Sequence, residues 1–505
     1  MPSVILSTIN ARYVHAALGL RYLAANMGDL RPDTTLVEFV LGARAADMAE
    51  QLLARSPRII GLGVYIWNVE ESTRLVALLK TVAPDVIVVL GGPEVSYETE
   101  SQRICELADY VVTGWGDLTF PELCGKLLAG ERPVERIIAG AQPALSQIRL
   151  PYAEYTDEDV ARRFLYVEAS RGCPFKCEFC LSSLDKTAWG FDLDVFMREL
   201  EALHARGARH FRFVDRTFNL KAAVGLRILD FFLERLDDRL FVHFEVIPDH
   251  LPDKLKAAIV RFPAGMLQFE VGIQTWNPDV QSLISRRQDN AQSEENLAWL
   301  GRESKAHLHV DLIAGLPDED LESFGRGFDR LRAIGPHEIQ VGILKRLRGT
   351  PIARHSQAHG MRYNPDAPYN VLQTHRIGFR DMQRIVRFAR YWDVVGNSGR
   401  FHRALVLMLD GSPYARFMQF TDWLYARTGK THEIALDRLF EHVHAFLTSE
   451  LGVAPEIASR ALIDDYAGSG ARGRLSFMPE GAPRARLVPG AKGKATLRQV
   501  RHLQS

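Results

Sequence analysis

Three of the chain's five cysteines fall inside eight positions: Cys173, Cys177 and Cys180, within the run RGCPFKCEFCLSS from Arg171 to Ser183. Their C-x3-C-x2-C spacing puts three soft ligands on one short loop, a crowding that scattered structural cysteines do not produce. A structural zinc knot wants four ligands in paired spacing, and no partnering pair follows. An iron–sulfur cluster is held by cysteine thiolates, commonly four, so three leave one iron without a protein ligand. A cluster on these three cysteines thus has one open corner; a redox thiol pair is the other alternative. With only Cys105 and Cys124 left over, a second cluster with three or four cysteine ligands is excluded by count, and a disulfide framework is not expected.

The elements that must position this loop belong to a long chain. At 505 residues it is expected to hold about two or three domains, each with its own core. Hydrophobic residues make up 47% and charged residues 25%, the balance of an ordinary globular protein. Lys plus Arg equals Asp plus Glu at 62 each, so no global field points to nucleic acid or an anionic membrane. The start, MPSVILSTINARYVH, has no signal-peptide pattern and no apolar run approaches a membrane span, so a cytoplasmic protein is expected.

From the start to about residue 140, apolar runs at Val4–Ser7, Leu36–Val40, Ile59–Val64, Val86–Leu90 and Tyr110–Thr113 read as buried strands. Between them, 16–27, 45–54, 70–82 and 118–129 carry apolar residues at helical spacing. This alternation predicts a doubly wound parallel sheet, in which ligands sit beyond the carboxyl ends of the strands. Those ends are rich in glycine and polar residues: Asn10, Tyr13 and His15 after the first; Gly63, Tyr65, Trp67 and Asn68 after the third; Gly91, Gly92, Pro93 and Glu94 after the fourth; Gly114, Trp115, Gly116 and Asp117 after the fifth. Residues 141–163 lose periodicity and read as a linker. From 164 to 355, six strand candidates alternate with helices: 164–168, 210–214, 241–246, 267–271, 308–313 and 340–344. Residues 356–465 read as a helical domain whose aromatics are first of all core, at 372–391, 414–427 and 435–447. The tail, 466–505, is basic and rich in Gly and Pro; it reads first as a solvated flexible segment and only second as a contact for RNA or an acidic leader peptide.

The cysteine spacing, Phe179 just before the third cysteine and the preceding run FLYVEAS resemble the signature of the radical S-adenosylmethionine (radical SAM) superfamily. The resemblance implies a partial (β/α)6 barrel whose 4Fe-4S cluster, on Cys173, Cys177 and Cys180, chelates SAM and splits it to a 5'-deoxyadenosyl radical. A low-potential donor such as flavodoxin or ferredoxin is implied too. Upstream, the run from Gly19 to Ala25, the turn from Gly91 to Glu94 and the turn from Gly114 to Asp117 resemble the Rossmann-like cobalamin-binding domain of one large subclass. That likeness implies that the glycines and polar residues at the first domain's strand ends, named above, contact cobalamin. The D-x-H-x-x-G motif is absent, with Tyr13 and Leu18 flanking His15 where Asp and Gly would stand, so cobalt would carry no protein histidine. The alternative leaves the glycines as turn residues, Tyr65 and Trp67 as core, and His15 in solvent.

Further on, Val214–Asn219 is similar to a VDDxFN turn with Arg216 for the second Asp, which implies Asp215 at the SAM amino group; a helix cap is its rival role. The run from Glu270 to Thr275 resembles E-x-G-x-Q-[ST], implying Glu245 or Glu270 on the SAM ribose and Gln274 nearby. Arg286 or Arg287 would pair the SAM carboxylate. A G-x-I-x-G-x-P-like run, with Asp311 in place of its first Gly, puts Ile313 beside adenine. The implied activity is methylation of an unactivated carbon of a small molecule or peptide. A non-methylating rearrangement, cyclisation or oxidation is the second reading, and a non-catalytic sensor the third.

Overall fold

The computed structural model describes residues 2–185, 187–469, 473–479 and 497–503. The chain divides into two compact units: the chain up to Arg216 together with Lys345–Ala353 and Asn364–Asn370, and Thr217–Leu344 together with Arg354–Tyr363 and the chain from Val371 onward.

In the first unit six strands form one sheet: β1 (Val4–Asn10), β2 (Thr34–Val40), β3 (Ile59–Gly63), β4 (Ile87–Gly91), β5 (Tyr110–Gly114) and β6 (Ile137–Gly140), in the order β2-β1-β3-β4-β5-β6. Every ladder is parallel. All seven residues of β1 are buried, as a strand covered on both faces requires. Alternate residues serve opposite layers. Ile5 and Ile9 join one core with Met48, Leu52, Leu75 and Leu79, whereas Val4 and Leu6 join another with Leu20, Ala24, Phe120 and Leu123. The expected doubly wound sheet is therefore present. Its sixth strand, β6, escapes periodicity because it is short and half-exposed.

The stretch expected to be a linker is ordered. Thr156 caps the helix Asp157–Arg162 with a capping box, its hydroxyl accepting from the Asp159 backbone N–H. Asp159 and Arg163 are then buried in a four-member ion network with Arg21 and Glu38. Arg21 reaches Glu38 at 2.9 Å and Asp159 at 2.8 Å; Arg163 reaches the same two acids at 2.6 and 3.0 Å. Two cations and two anions satisfy one another where any one alone would be expelled to water.

The second parallel set comprises β7 (Leu165–Val167) and β8 (His210–Phe213), which pair in the first unit, and β9 (Phe241–Val246), β10 (Leu267–Gln274), β11 (His307–Ala314) and β12 (Glu338–Ile343), which neighbour one another in chain order in the second. Helices such as Leu193–Ala205 and Leu321–Ile334 connect them. The C-terminal region is helical, with Phe379–Val394, Pro413–Thr428, Leu436–Ala445 and Pro455–Gly468 as its main elements. The first of these begins later than periodicity suggests, because Val371–Gln373 pairs instead with Arg362–Tyr363 as a short antiparallel ladder. Phe388 and Trp392 lie nearly parallel, and each meets Phe417 edge to face in its core. Much of the basic tail, including Arg472, Arg484 and Lys492, lies outside the described residues. Its end, Leu497–Leu503, is a helix, and Arg498 there pairs with Glu338 at 2.9 Å and Asp393 at 2.8 Å. That end is thus packed rather than solvated.

Removing Arg163 leaves Glu38 and Asp159 sharing one cation. Arg163→Ala is expected to lower unfolding stability by about 3–5 kcal/mol in denaturant titrations followed by tryptophan fluorescence. Arg162→Ala, which removes only an exposed pair with Glu158, should stay within about 0.5 kcal/mol.

Candidate functional site

In the first unit the carboxyl ends of β1, β3 and β4 line up in register, Thr8 beside Gly63 and Gly63 beside Gly91. Beyond them lies a cavity of about 200 Å³, walled by Gly19, Gly61, Gly63, Gly91, Gly92, Gly114 and Gly116 together with Tyr22, Tyr65, Phe120, Asp117 and Arg171. The glycines do different things. A Cβ at Gly63, Gly91 or Gly116 would meet protein only at 3.4, 3.8 and 3.6 Å, ordinary contact, so these positions keep space clear rather than relieve a clash. At Gly92 a Cβ would stand 2.5 Å from the Val64 carbonyl oxygen with φ at +110°, so the turn itself demands glycine there.

A second cavity, of about 360 Å³, shares Gly114, Gly116, Asp117 and Arg171 with the first and continues along Trp115, Glu168, Ser170, Gly172, Asp185 and Arg216. Arg171 stands where the two adjoin. Its guanidinium pairs with Glu168 at 2.7 Å and Asp117 at 2.9 Å and lies over the rings of Tyr22, at 4.2 Å, and Trp115, at 5.1 Å. Burial pulls its pKa down, but Glu168 and Asp117 outweigh burial and hold it charged. Asp185, on the same wall, is pushed up by burial, against a hydrogen bond from Trp115.

Two residues after Arg171 the cysteine loop begins. Gly172 has φ +85°, and a Cβ there would come within 2.3 Å of the Thr187 carbonyl oxygen, so the loop leaves β7 only through glycine. Cys173 and Cys177 are buried, Cys180 and Phe179 half-buried, and none of the three thiols is in a disulfide. The Cys177 carbonyl accepts from the Cys180 N–H at 3.1 Å, and the Cys180 carbonyl from the Ser183 hydroxyl at 2.7 Å, which fixes the turn. Burial pushes the Cys173 thiol up, and the thiols of Cys180 and Cys177 add to the shift. A coordinating metal reverses this, since a bound thiol is deprotonated outright. Among the described residues only one triad of ligating side chains, elsewhere in the chain, converges within 4.8 Å.

Asp215, at the end of β8, has both carboxylate oxygens engaged. Oδ1 accepts from the Ser170 hydroxyl at 2.6 Å and Oδ2 from the Ala169 N–H at 3.0 Å. It therefore ties β8 to the strand that enters the cysteine loop, and the neighbouring Arg216 is the residue that lines the larger cavity. Burial raises its pKa to about 7 even against these hydrogen bonds.

Several other sequence candidates lie off the cavities. Asn10 donates to Glu38 at 2.9 Å, and Tyr13 donates to Glu158 at 2.7 Å. His15 Nδ1 sits 2.6 Å from the Tyr166 hydroxyl rather than in solvent, its ring packed on Phe164. Asn68 closes the turn after β3, accepting from the Tyr65 N–H, while Trp67 stacks flat on Tyr65 at 4.4 Å. Pro93 opens the short turn Pro93–Val95. Glu94 accepts from the Tyr369 hydroxyl at 2.7 Å and from Arg348 at 3.0 Å. Polar residues at strand ends are equally useful as tertiary ties, and their type cannot separate the two uses.

In the second unit Glu245 and Glu270 stand opposite one another in register. Glu270 accepts from His243 Nε2 at 3.2 Å. Gln274 sits at φ +67°, Arg286 donates to the Gly272 carbonyl and to Gln288, and Ile313 is paired with Gly342. The sequence reading missed Arg171, although it adjoins the cysteines. It also missed His309, which is pushed up to about 9: burial opposes the charge, and Asp311 at 3.4 Å with Glu338 outweighs it.

Comparison with known proteins adds three matches. Residues 5–124 match the B12 binding domain family, residues 167–331 the Radical SAM superfamily, and residues 357–485 a protein family of unknown function, DUF4080. The chain is 27% identical over 331 residues to the uncharacterized methyltransferase PH0819 of Pyrococcus horikoshii, covering 60% of this chain and 70% of that protein. It is 25% identical over 361 residues to the cobalamin-dependent radical SAM methyltransferase TokK of Streptomyces tokunonensis, covering 60% of this chain but 49%, about half, of TokK. In fold it resembles the cobalamin-dependent S-adenosylmethionine radical enzyme OxsB in its aqua-cobalamin-bound structure, with a TM-score of 0.61 at 14% identity over 92% of this chain and 79% of that one.

Asp215 gives a pH signature. Its folded pKa of about 7 lies above the unfolded value of about 3.9, so the folded state binds the extra proton between them. Its contribution to stability is full below about pH 4 and is lost as pH rises through 7. Asp215→Asn should flatten the unfolding free energy across that window, measured by denaturant titration at intervals from pH 4 to 8.

Proposed function

This chain belongs to the radical SAM enzymes that carry a B12-binding domain and is homologous to cobalamin-dependent methyltransferases of that class; we propose that it transfers a methyl group to an unactivated carbon of a small molecule or peptide. The observation that carries the reading is the pair of adjoining cavities on one unit, one walled by glycines and one entered by the cysteine loop, with Arg171 and Asp117 common to both. When bound, the cluster with SAM supplies a hydrogen-abstracting 5'-deoxyadenosyl radical, and methylcobalamin supplies the methyl group.

The chain's own residues supply position and surroundings. Cys173, Cys177 and Cys180 would hold three irons and leave the fourth for SAM. Gly63, Gly91 and Gly116 would let an arm of the cobalamin lie against bare backbone, and Tyr65 offers a flat ring beside it. A cavity of about 200 Å³ suits an arm of that cofactor, being below the volume usual for a whole ligand. Glu168, Arg171, Asp185 and Arg216 make the larger cavity polar and charged on both signs, which favours a substrate with hydrogen-bonding or zwitterionic groups. Of the sequence candidates for SAM, Glu245 or Glu270 would accept ribose hydroxyls, with Gln274, Arg286 and Ile313 as further contacts. Phe179 would pack beside the cluster. A low-potential donor such as flavodoxin or ferredoxin is required by the chemistry. Among the described residues no helix is long and apolar enough to cross a membrane.

The test is anaerobic reconstitution with iron, sulfide and hydroxocobalamin, then mass spectrometry after adding SAM and dithionite. Formation of 5'-deoxyadenosine, S-adenosylhomocysteine and methylcobalamin is expected. Appearance of 5'-deoxyadenosine with cobalamin never methylated would replace methyl transfer by another radical reaction. Cys177→Ala should abolish 5'-deoxyadenosine formation. Gly116→Leu should leave iron content intact while cobalamin retained after gel filtration falls at least about tenfold, in line with loss of one or two kcal/mol of contact.

A further inference from the structure

Far from the cysteines in sequence, three side chains of the second unit converge. Asp318 lies in the loop after β11, His359 follows the short turn Pro351–His355, and His375 follows the short strand Val371–Gln373. One ligating atom from each lies within 4.8 Å of the other two. We propose that Asp318, His359 and His375 form a binding site for a divalent transition-metal ion, zinc or a close relative, which staples the loop after β11 to the chain around residues 355–375.

The hydrogen bonds favour a cation there. His375 Nδ1 lies 3.0 Å from the His359 carbonyl oxygen, which can only accept, so Nδ1 carries the proton. In the neutral ring Nε2 then bears a lone pair, yet it faces Asp318 Oδ1, another lone-pair atom, at 3.0 Å. Such a contact needs a positive charge between or on the two groups: a proton on His375 or a metal ion. The 3.0 Å separation is close to the roughly 3.3 Å edge of a tetrahedron with metal–ligand bonds of about 2.05 Å. A backbone carbonyl orienting a ligating imidazole through its other nitrogen is the usual outer support of a metal histidine. The third ligand is also prepared: His359 Nδ1 is buried with no hydrogen-bond partner.

The backbone holds these groups in place. The His375 N–H donates to the His359 carbonyl at 2.8 Å and the His359 N–H to the His355 carbonyl at 3.0 Å. Asp318 adopts φ +61°, uncommon for a residue with a side chain. Two imidazoles and one carboxylate select late first-row divalent ions over magnesium or calcium. One competitor is present: Arg376 Nε donates to Asp318 Oδ1 at 2.8 Å. A carboxylate offers about four lone-pair positions, so the guanidinium and a metal can share it, with the metal weakened by the neighbouring charge.

The probe is zinc chloride, equilibrated with the reconstituted full-length protein at pH 7.5 and quantified with iron by mass spectrometry after desalting. About one zinc per chain is expected in addition to the cluster iron. His359→Ala and His375→Ala should each weaken zinc binding at least about tenfold with iron content unchanged, and Arg376→Gln should strengthen it. A Cys173→Ser, Cys177→Ser, Cys180→Ser variant should keep its one zinc. Cobalt(II) in that variant should show visible bands of nitrogen and oxygen ligation, a reading that does not depend on the histidine variants folding. Zinc uptake no greater in the wild type than in a His359→Ala, His375→Ala double variant, or its disappearance in the cysteine variant, overturns the proposal.

Discussion

The cysteine end of the first unit depends on one cation whose side chain is 14% exposed. Arg171 is two residues from the first cysteine, and its guanidinium lies between aromatic rings and two carboxylates, Glu168 at 2.7 Å and Asp117 at 2.9 Å. A lone buried guanidinium would face a desolvation penalty of several kcal/mol, which two short ion pairs and the Tyr22 and Trp115 ring faces offset. The geometric result matters more than the energy. Asp117 closes the glycine-rich turn after β5, and Glu168 ends β7, so one side chain fixes the cysteine loop against the carboxyl edge of the first sheet. Gly172 completes the constraint, because no other residue fits between the Thr187 carbonyl and the turn.

The same edge shows how one residue type serves opposed purposes. Gly92 is required by the backbone, whereas Gly63, Gly91 and Gly116 border a cavity that a side chain would enter without striking protein. Only the second kind points to a ligand. A run such as Gly91-Gly92 contains both, so its two positions differ in meaning although they are adjacent.

That distinction explains how much was legible in the sequence. The first five strands of the first sheet were readable because strands in the interior of a parallel sheet are strongly apolar, and the six strands of the second set because helices separate them at regular intervals. The cysteine loop was readable because its chemistry is local. Asn10, Tyr13, His15, Asn68 and Glu94 were not separable from ligand-binding residues, since their partners Glu38, Glu158, Tyr166, Ile9 and Tyr369 are mostly remote in sequence. The segment 141–163 lacks periodicity because its buried residues do not fall on one stripe: Ile148, Tyr152 and Tyr155 are buried from short turns, and Asp159 and Arg163 are held by Arg21 and Glu38. The histidines of the Asp318 triad carried no signal, being 41 and 57 residues from Asp318 and joined only by the fold.

The second unit shows why the acids at its strand ends resist assignment by type alone. Glu245, Glu270, His309 and Glu338 occupy successive register positions across β9 to β12, with Asp311 two residues beyond His309 on the same face. Parallel strands in register put side chains of paired residues on one side of the sheet, so these form a charged row where a purely structural core would be aliphatic. Acids alone in such a row would repel and protonate. Interleaved histidines supply partners of the other kind: His243 reaches Glu270 at 3.2 Å, and His309 lies 3.4 Å from Asp311 and is held protonated chiefly by Asp311 and Glu338 against burial. Asp311 itself is raised by burial and eased by His309. The Asp that replaces the expected glycine before Ile313 therefore has a physical counterpart in His309. A charge at one of these positions constrains the charge at the next, and the row acts as a coupled polar surface rather than as a set of independent acids.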